Sequence, residues 1–362
     1  MNTSRGLFRV TIFGESHGSY VGVTVDCPPG IPVDMEEMQS VLSLRSPGKS
    51  GITSARNEED IPEIISGVFN GFTTGRPVTI VIKNRDAHSK DYDILKEIPR
   101  PGHVDYAAHV KYSGFEDYRG GGSFSGRLTA PLVAAGYIAS KYLELRGITA
   151  VSFVSSLGDI LEKIPSEWFI NPNIEDIRKK TYSRSVRSPF DSYIKMQKLV
   201  EKVRDEGNSI GGTITTIIDG ISPGMGEPFF SSLESELSSM LFSIPGIKGV
   251  EFGTGFEGVH MKGSDFNDAY NVSNDAFRTL SNNNGGVAGG ISTGMPVIFR
   301  CAVRPTSSIS KVQETVNYSG EKVEFSLKGR HDPCILIRAV PVIEYSASIV
   351  IADMYMRMMA NA

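Results

Sequence analysis

Cysteine is scarce: three in 362 residues, at positions 27, 301 and 334. An odd number at wide spacing excludes a disulfide framework and a zinc site and predicts buried thiols in a reducing compartment. Neither charge is in excess. Lys and Arg total 37 against 41 Asp and Glu, a net charge of -4. A nucleic-acid footprint or a polybasic membrane face is therefore not expected. No apolar run approaches the ~20 residues of a membrane span. The N-terminal stretch Met1 to Arg9 has no apolar run, so no signal peptide is expected. Together these predict a soluble, cytoplasmic protein. No G-x-G-x-x-G follows a strand, which argues against a dinucleotide-binding fold, and there is no internal repeat.

What is present is ordinary globular material, 40% hydrophobic and 22% charged, enough for a large core. Alternating or β-branched runs predict strands at 7–13, 22–26, 64–69, 78–83, 210–219, 249–256 and 297–303. Asp34 reads as the cap of a helix to about residue 44. Thr129 reads as a cap and Pro131 as a first-turn residue of a tightly packed apolar helix over 132–145. Further helices are predicted over 190–205, from Ser231 or Ser232 to 242, and from Pro341 to about 359. The interval 157–208 is otherwise unpatterned and reads as a surface excursion. Strands and helices do not alternate regularly, which favours an α+β class over a βαβ array. Length alone suggests two domains. The candidate site residues come from both ends of the chain, so one integrated domain over 1–362 is expected.

The most informative stretch is Arg100-Pro-Gly-His103 followed by Tyr118-Arg-Gly-Gly-Gly-Ser-Phe-Ser-Gly-Arg127. Glycines let a backbone approach a ligand closely. A Gly/Ser loop opening into a helix offers free N–H groups to an anion. Arginines add donors matched to carboxylate and phosphate oxygens. The pattern predicts a site for a small polyanion with a titratable histidine at its edge. Gly14-Glu-Ser-His-Gly18 lies between two predicted strands, where catalytic groups often sit. The loop over 45–60 is long and irregular, a shape often found in lids. A second glycine-dense loop, Asn282 to Gly290, leads into the strand ending at Arg304-Pro-Thr-Ser-Ser308.

These motifs, with Gly329-Arg-His-Asp-Pro-Cys334 and in this order, resemble those of the chorismate synthase family across essentially the whole chain. The resemblance implies a β-α-β sandwich with helices packed between antiparallel sheets, usually a homotetramer. It implies a 1,4-anti elimination of phosphate from 5-enolpyruvylshikimate 3-phosphate to give chorismate. It also implies reduced FMN without net redox change, with NADPH involved only as a reductant of the flavin. Carried over residue by residue, it assigns catalysis to His17, His103 and Asp332. It assigns substrate binding to Arg45, Arg56, Arg100, Arg127 and Arg330. It assigns flavin contacts to Arg45, Ser123, Phe124, Ser125, Pro245, Gly246, Gly289, Arg304, Pro305, Thr306, Ser307, Ser308 and Arg330. The chain departs from the family pattern at Ser123-Phe124, at Pro245-Gly246, at Leu44 and at Gly51. Two other classes remain compatible with these residues: an NAD(P)H-dependent flavin oxidoreductase, and a binding protein that keeps the arginines without turnover.

Overall fold

The computed structural model describes residues 2–46, 59–85, 89–273, 276–327 and 332–361. Two antiparallel sheets enclose helices. The first sheet joins β1 (Arg9–Gly14), β2 (Tyr20–Asp26), β3 (Pro62–Ser66) and β4 (Val78–Lys83) in the order β1-β2-β4-β3. In β4 the β-branched residues Val78, Ile80 and Ile82 are buried, whereas Thr79, Val81 and Lys83 are not. That period of two turns one face of the sheet onto the helices. The second sheet contains β5 (Thr149–Leu157), β6 (Ile160–Leu161), β7 (Gly212–Asp219), β8 (Ile247–Phe252) and β9 (Val297–Val303) in the order β8-β9-β7-β5-β6.

Between the sheets lie α1 (Met35–Arg45), α3 (Thr129–Glu144) and α7 (Leu336–Asn361), with α2 (Asp105–Tyr112) at the edge of the candidate site. Helix α3 packs on the first sheet and on α7, and α7 packs on the second sheet. Gly136 sets the closeness of the two central helices. A β-carbon there would stand 2.3 Å from the Tyr345 carbonyl oxygen, so any side chain would force the helices apart. One connected cluster of buried apolar residues includes Val23 and Ile80 of the first sheet, Ala134 and Ile343 of the helices, and Ile214 and Phe299 of the second sheet. The architecture is the expected α+β sandwich.

Several local expectations are met closely. Asp34 caps α1, its carboxylate accepting from the Glu36 and Glu37 amides at 2.8 and 3.0 Å. Ser232 caps α6 (Leu233–Ser243) by accepting from the Ser235 amide. Others need correction. Thr129 does not cap α3; its hydroxyl donates to the Gly126 carbonyl at 2.6 Å. Pro341 does not open the last helix but lies inside it, because α7 begins at Leu336. Burial of Leu336, Ile337 and Val340 outweighs the hydrogen bond that proline removes. The interval 157–208 holds α4 (Ile174–Ser183) before α5 (Tyr193–Asp205). Helix α4 seats Ile174 and Ile177 in a second apolar cluster with Val151, Phe153, Ile217 and Ile298.

Candidate active site

A cavity of about 260 Å³ opens where the segment before α2, the glycine loop, α3, the turn before β8, the start of α7 and the segment after β9 meet. Four arginines line it: Arg100, Arg127, Arg304 and Arg338. One aspartate, Asp332, faces them. Phe124, Pro245, Ile335, Ala339 and Val342 form apolar wall, and Thr306, Ser307 and Ser308 supply hydroxyls.

The glycine run is needed for its backbone. Gly120, Gly121 and Gly122 all have positive φ, at 59°, 86° and 52°, which residues with side chains rarely adopt. Space is short as well. A β-carbon on Gly120 would stand 2.6 Å from the His17 ring, and one on Gly121 would stand 3.4 Å from His103 Cε1. Consecutive glycines therefore touch the two histidines singled out in the sequence. The β1–β2 loop is tied to this run by two bonds: the Ser16 amide donates to the Gly122 carbonyl at 3.2 Å, and the Ser16 hydroxyl to the Arg119 carbonyl at 3.1 Å. His17 is half-buried at the cavity's edge, behind Gly120.

His103 is built from its neighbours. Asp105 accepts at 2.7 Å from both Nε and Nη2 of Arg100, and its Oδ1 lies 2.5 Å from His103 Nδ1. Arg100 Nη2 is also 3.0 Å from Nδ1. That nitrogen cannot accept from Arg100 while donating to Asp105. The shorter carboxylate contact, with Arg100 already bidentate on the same carboxylate, places the proton on Nδ1 and leaves Nε2 as the acceptor. Burial pushes the His103 pKa below its usual value; the bond to Asp105 opposes this, while Arg100 and Arg304 add to it. Burial alone would raise Asp105, but Arg100 and His103 hold its carboxyl well below the usual range.

Arg45 and Arg127 meet at Asp60. Arg45 is fully buried and donates from Nη2 to Asp60 Oδ2 at 2.6 Å, and Arg127 Nη1 donates to Oδ1. The Ser46 hydroxyl adds a bond at 2.6 Å. Burial would raise the Asp60 pKa; the two guanidiniums and Ser46 overcome this and keep it well below the usual range. Arg127 reaches the cavity, whereas Arg45 sits one layer behind and also donates to the Gly126 carbonyl at 3.3 Å.

The remaining residues divide. Phe124, Ser125, Pro245, Gly246, Arg304, Thr306, Ser307, Ser308 and Asp332 line the cavity. The Arg304 amide donates to the Gly246 carbonyl at 2.9 Å, fixing the turn before β8 to the segment after β9. Ser123 and Pro305 are exposed and not part of the lining. Gly289 sits in the hairpin between Val287–Ala288 and Ile291–Ser292, whose Gly290 carbonyl accepts from the Leu233 amide at the start of α6, away from the cavity. Arg56 and Arg330 lie outside the described residues. Sequence reasoning missed Arg338, which lines the cavity and donates to Asp332 at 2.7 Å. A lone arginine in the apolar run Leu336 to Val340 was the available signal. It also missed Asp60 and the partner role of Asp105. Among the described residues no His/Cys/Asp/Glu group could hold a metal.

An arginine-lined cavity with two histidines at its glycine rim, set on an α+β sandwich, presents the donors and positive charge that a small polyanion requires. The sequence profile of the chorismate synthase family matches residues 8–356. Curated chorismate synthases are similar over nearly their full length. That of Korarchaeum cryptofilum is 45% identical over 98% of this chain and 97% of its own, and that of Cytophaga hutchinsonii is 43% identical over 98% of each. A crystal structure of a chorismate synthase superposes with a TM-score of 0.79 at 28% identity, covering 98% of this chain and 93% of its own. The chain belongs to the chorismate synthase family.

Proposed function

We propose that this cavity carries out the family's reaction, elimination of phosphate from 5-enolpyruvylshikimate 3-phosphate to give chorismate in the shikimate pathway. The observation that carries it is the contact of Gly120 and Gly121 with His17 and His103 beside a cavity lined by four arginines and one aspartate. The substrate bears two carboxylates and a phosphate, and several positive donors in a partly dry site gather that charge. Arg100, Arg127 and Arg338 take this role, supported by Arg45 through Asp60, and by Arg56 and Arg330 from the family pattern. His17 donates to the departing phosphate oxygen. His103, neutral and with Nε2 open, is suited to hold or pass a proton at that atom.

The residues fit a flavin. A planar ring needs apolar contact, its carbonyl edges need donors, and a phosphate tail needs positive charge. Phe124, Pro245, Ile335, Ala339 and Val342 meet the first need; Thr306, Ser307, Ser308 and Arg304 meet the others. Reduced FMN, when bound, supplies electron density to the breaking C–O bond and a proton acceptor, with NADPH only as its reductant. Asp332, held by Arg338, and His103 set the polarity around it. Gly289, Ser123 and Pro305 join the flavin site only through elements beyond this lining. The chain is proposed to act as one domain, in a cytoplasmic homotetramer. No helix among the described residues is long and apolar enough to cross a membrane.

The test is phosphate release from the substrate with photoreduced FMN and no nicotinamide. Turnover that leaves the flavin reduced is expected. Stoichiometric NAD(P)H oxidation would favour the oxidoreductase instead, and tight binding without turnover a binding protein. His17→Ala is expected to lower turnover by about 10²–10⁴-fold with flavin binding retained. Wild-type turnover in that variant would remove His17 from the reaction.

A further inference from the structure

A second cavity, also of about 260 Å³, lies between α1, the C-terminal half of α3, α4, β5 and the middle of α7. It shares no lining residue with the first. Most of its wall is apolar: Val41, Leu44, Leu143, Ile148, Ile218 and Ile351. Three polar groups on it retain unused hydrogen-bonding capacity. Arg178 donates from Nη2 to the Ala150 carbonyl, and among the described residues its Nε and Nη1 have no partner. The buried Glu344 uses Oε2 to accept from the Ser152 amide at 2.8 Å and the Tyr182 hydroxyl at 3.0 Å. Its Oε1 has only Arg178, at 3.7 Å, too far for a hydrogen bond. The Tyr345 hydroxyl, also on the wall, has no partner among the described residues.

An opposite-charge pair held just beyond hydrogen-bond distance selects its occupant. A carboxylate at Arg178 alone would be repelled by Glu344, and an ammonium at Glu344 alone would be repelled by Arg178. A group carrying both charges on neighbouring atoms satisfies both partners and fills the unmet bonds. Glu37 and Glu144 on the same wall share a single lysine, Lys141, so the acids here exceed the cations by one, which strengthens the hold on an ammonium and leaves Arg178 as the group for a carboxylate. We infer that this cavity is a binding site for a free α-amino acid with an apolar side chain. Its carboxylate lies on Arg178, its ammonium on Glu344 Oε1 and the Tyr345 hydroxyl, and its side chain against the leucines and isoleucines.

The place of the site gives it reach. Helix α7 lines the first cavity with Arg338, Ala339 and Val342 and the second with Glu344, Tyr345 and Ser348. Helix α3 contributes Thr129 to the first and Ser140 and Leu143 to the second. Helix α1 lines the second cavity with Val41 and Leu44 and ends at the buried Arg45. An occupant would hold together the three helices that deliver residues to the arginine-lined cavity.

The test is thermal melting and calorimetry of the full chain with millimolar leucine, methionine or phenylalanine. Controls are the matching amine without the carboxylate, the acid without the amine, and glycine. A ligand that binds only the folded state raises Tm. The apolar amino acids are expected to raise it, and the three controls are not. Arg178→Met is expected to weaken binding about ten- to a hundredfold, the loss of a charged hydrogen bond. Ser140→Leu narrows the cavity without removing a charge, so it serves if Arg178→Met does not fold, and it is expected to abolish binding. Basal turnover should be unchanged in both. The inference is overturned by the absence of a Tm rise with every amino acid, which leaves a water-filled cavity. An equal effect from the amine or acid alone, or amino-acid binding that survives in Ser140→Leu, overturns it as well.

Discussion

Asp60, buried, and Asp105, half-buried, both lie beside the arginine-lined cavity and both hold a carboxyl pKa far below the usual range, yet their partners differ. Asp60 joins two arginines, Arg45 and Arg127, with Ser46. No member of that set changes charge near neutral pH, so its role is to hold two positive groups beside the glycine loop. Asp105 divides its oxygens between one arginine and one histidine. Through the histidine it decides where a mobile proton sits. The same carboxylate chemistry serves as a fixed anchor in one place and as a proton-orienting partner in the other.

The largest test of that difference is Asp60→Ala. It leaves two buried guanidiniums without their shared counter-charge, and removing one partner of a buried pair costs about 3–5 kcal/mol. Chemical denaturation should show that loss, with turnover failing because the fold fails. A variant with near wild-type stability would show that Arg45 and Arg127 find other acceptors, and the anchoring role of Asp60 would fall. Asp105→Asn should act the other way round. The amide fills the same space and can still accept from Arg100, so stability should fall by less than in Asp60→Ala. Without a carboxylate, Nδ1–H is no longer fixed as the donor, and turnover should fall on the order of 10² with an altered pH profile. Turnover that tracks stability in both variants would erase the distinction.

Much of this arrangement was legible in the chain. The glycine run, Arg100, His103 and Arg127 stand close together in sequence, and their chemistry is carried by residue type and local spacing. The strand β4 and the Asp34 cap were legible for the same reason. What escaped reading depends on tertiary partners. Asp60 meets Arg127 across 67 positions, and nothing in its local sequence marks it. Arg338 turns toward Asp332 only because α7 starts before Pro341. Strand β5 is buried at every position but its first, since α7 covers one face and α4 the other, so it shows no alternation. The α4 helix was hidden because its few apolar residues, Ile174 and Ile177, bury against that outer face alone.

The smallest effect separates the two carboxylates by pH. His103 has a folded pKa below its unfolded value of about 6.5, chiefly from burial. The unfolded chain therefore binds a proton more readily as pH falls through that value, and stability declines there, levelling off once the folded histidine also protonates. Asp60 and Asp105 have folded pKa values below the unfolded value of about 3.9, so their contribution is present above it and is lost as pH falls further. Melting temperature against pH should show two acid steps. His103→Gln should remove the upper step alone. Asp105→Asn should keep or enlarge it, because the carboxylate that opposes the burial of His103 is gone while the burial remains. An upper step that disappears in Asp105→Asn would mean that the His103 ring has left its buried place, so that Asp105 acts by holding the ring and not by orienting its proton. The proton-orienting role drawn for that cluster would then need to be rebuilt around the ion pair.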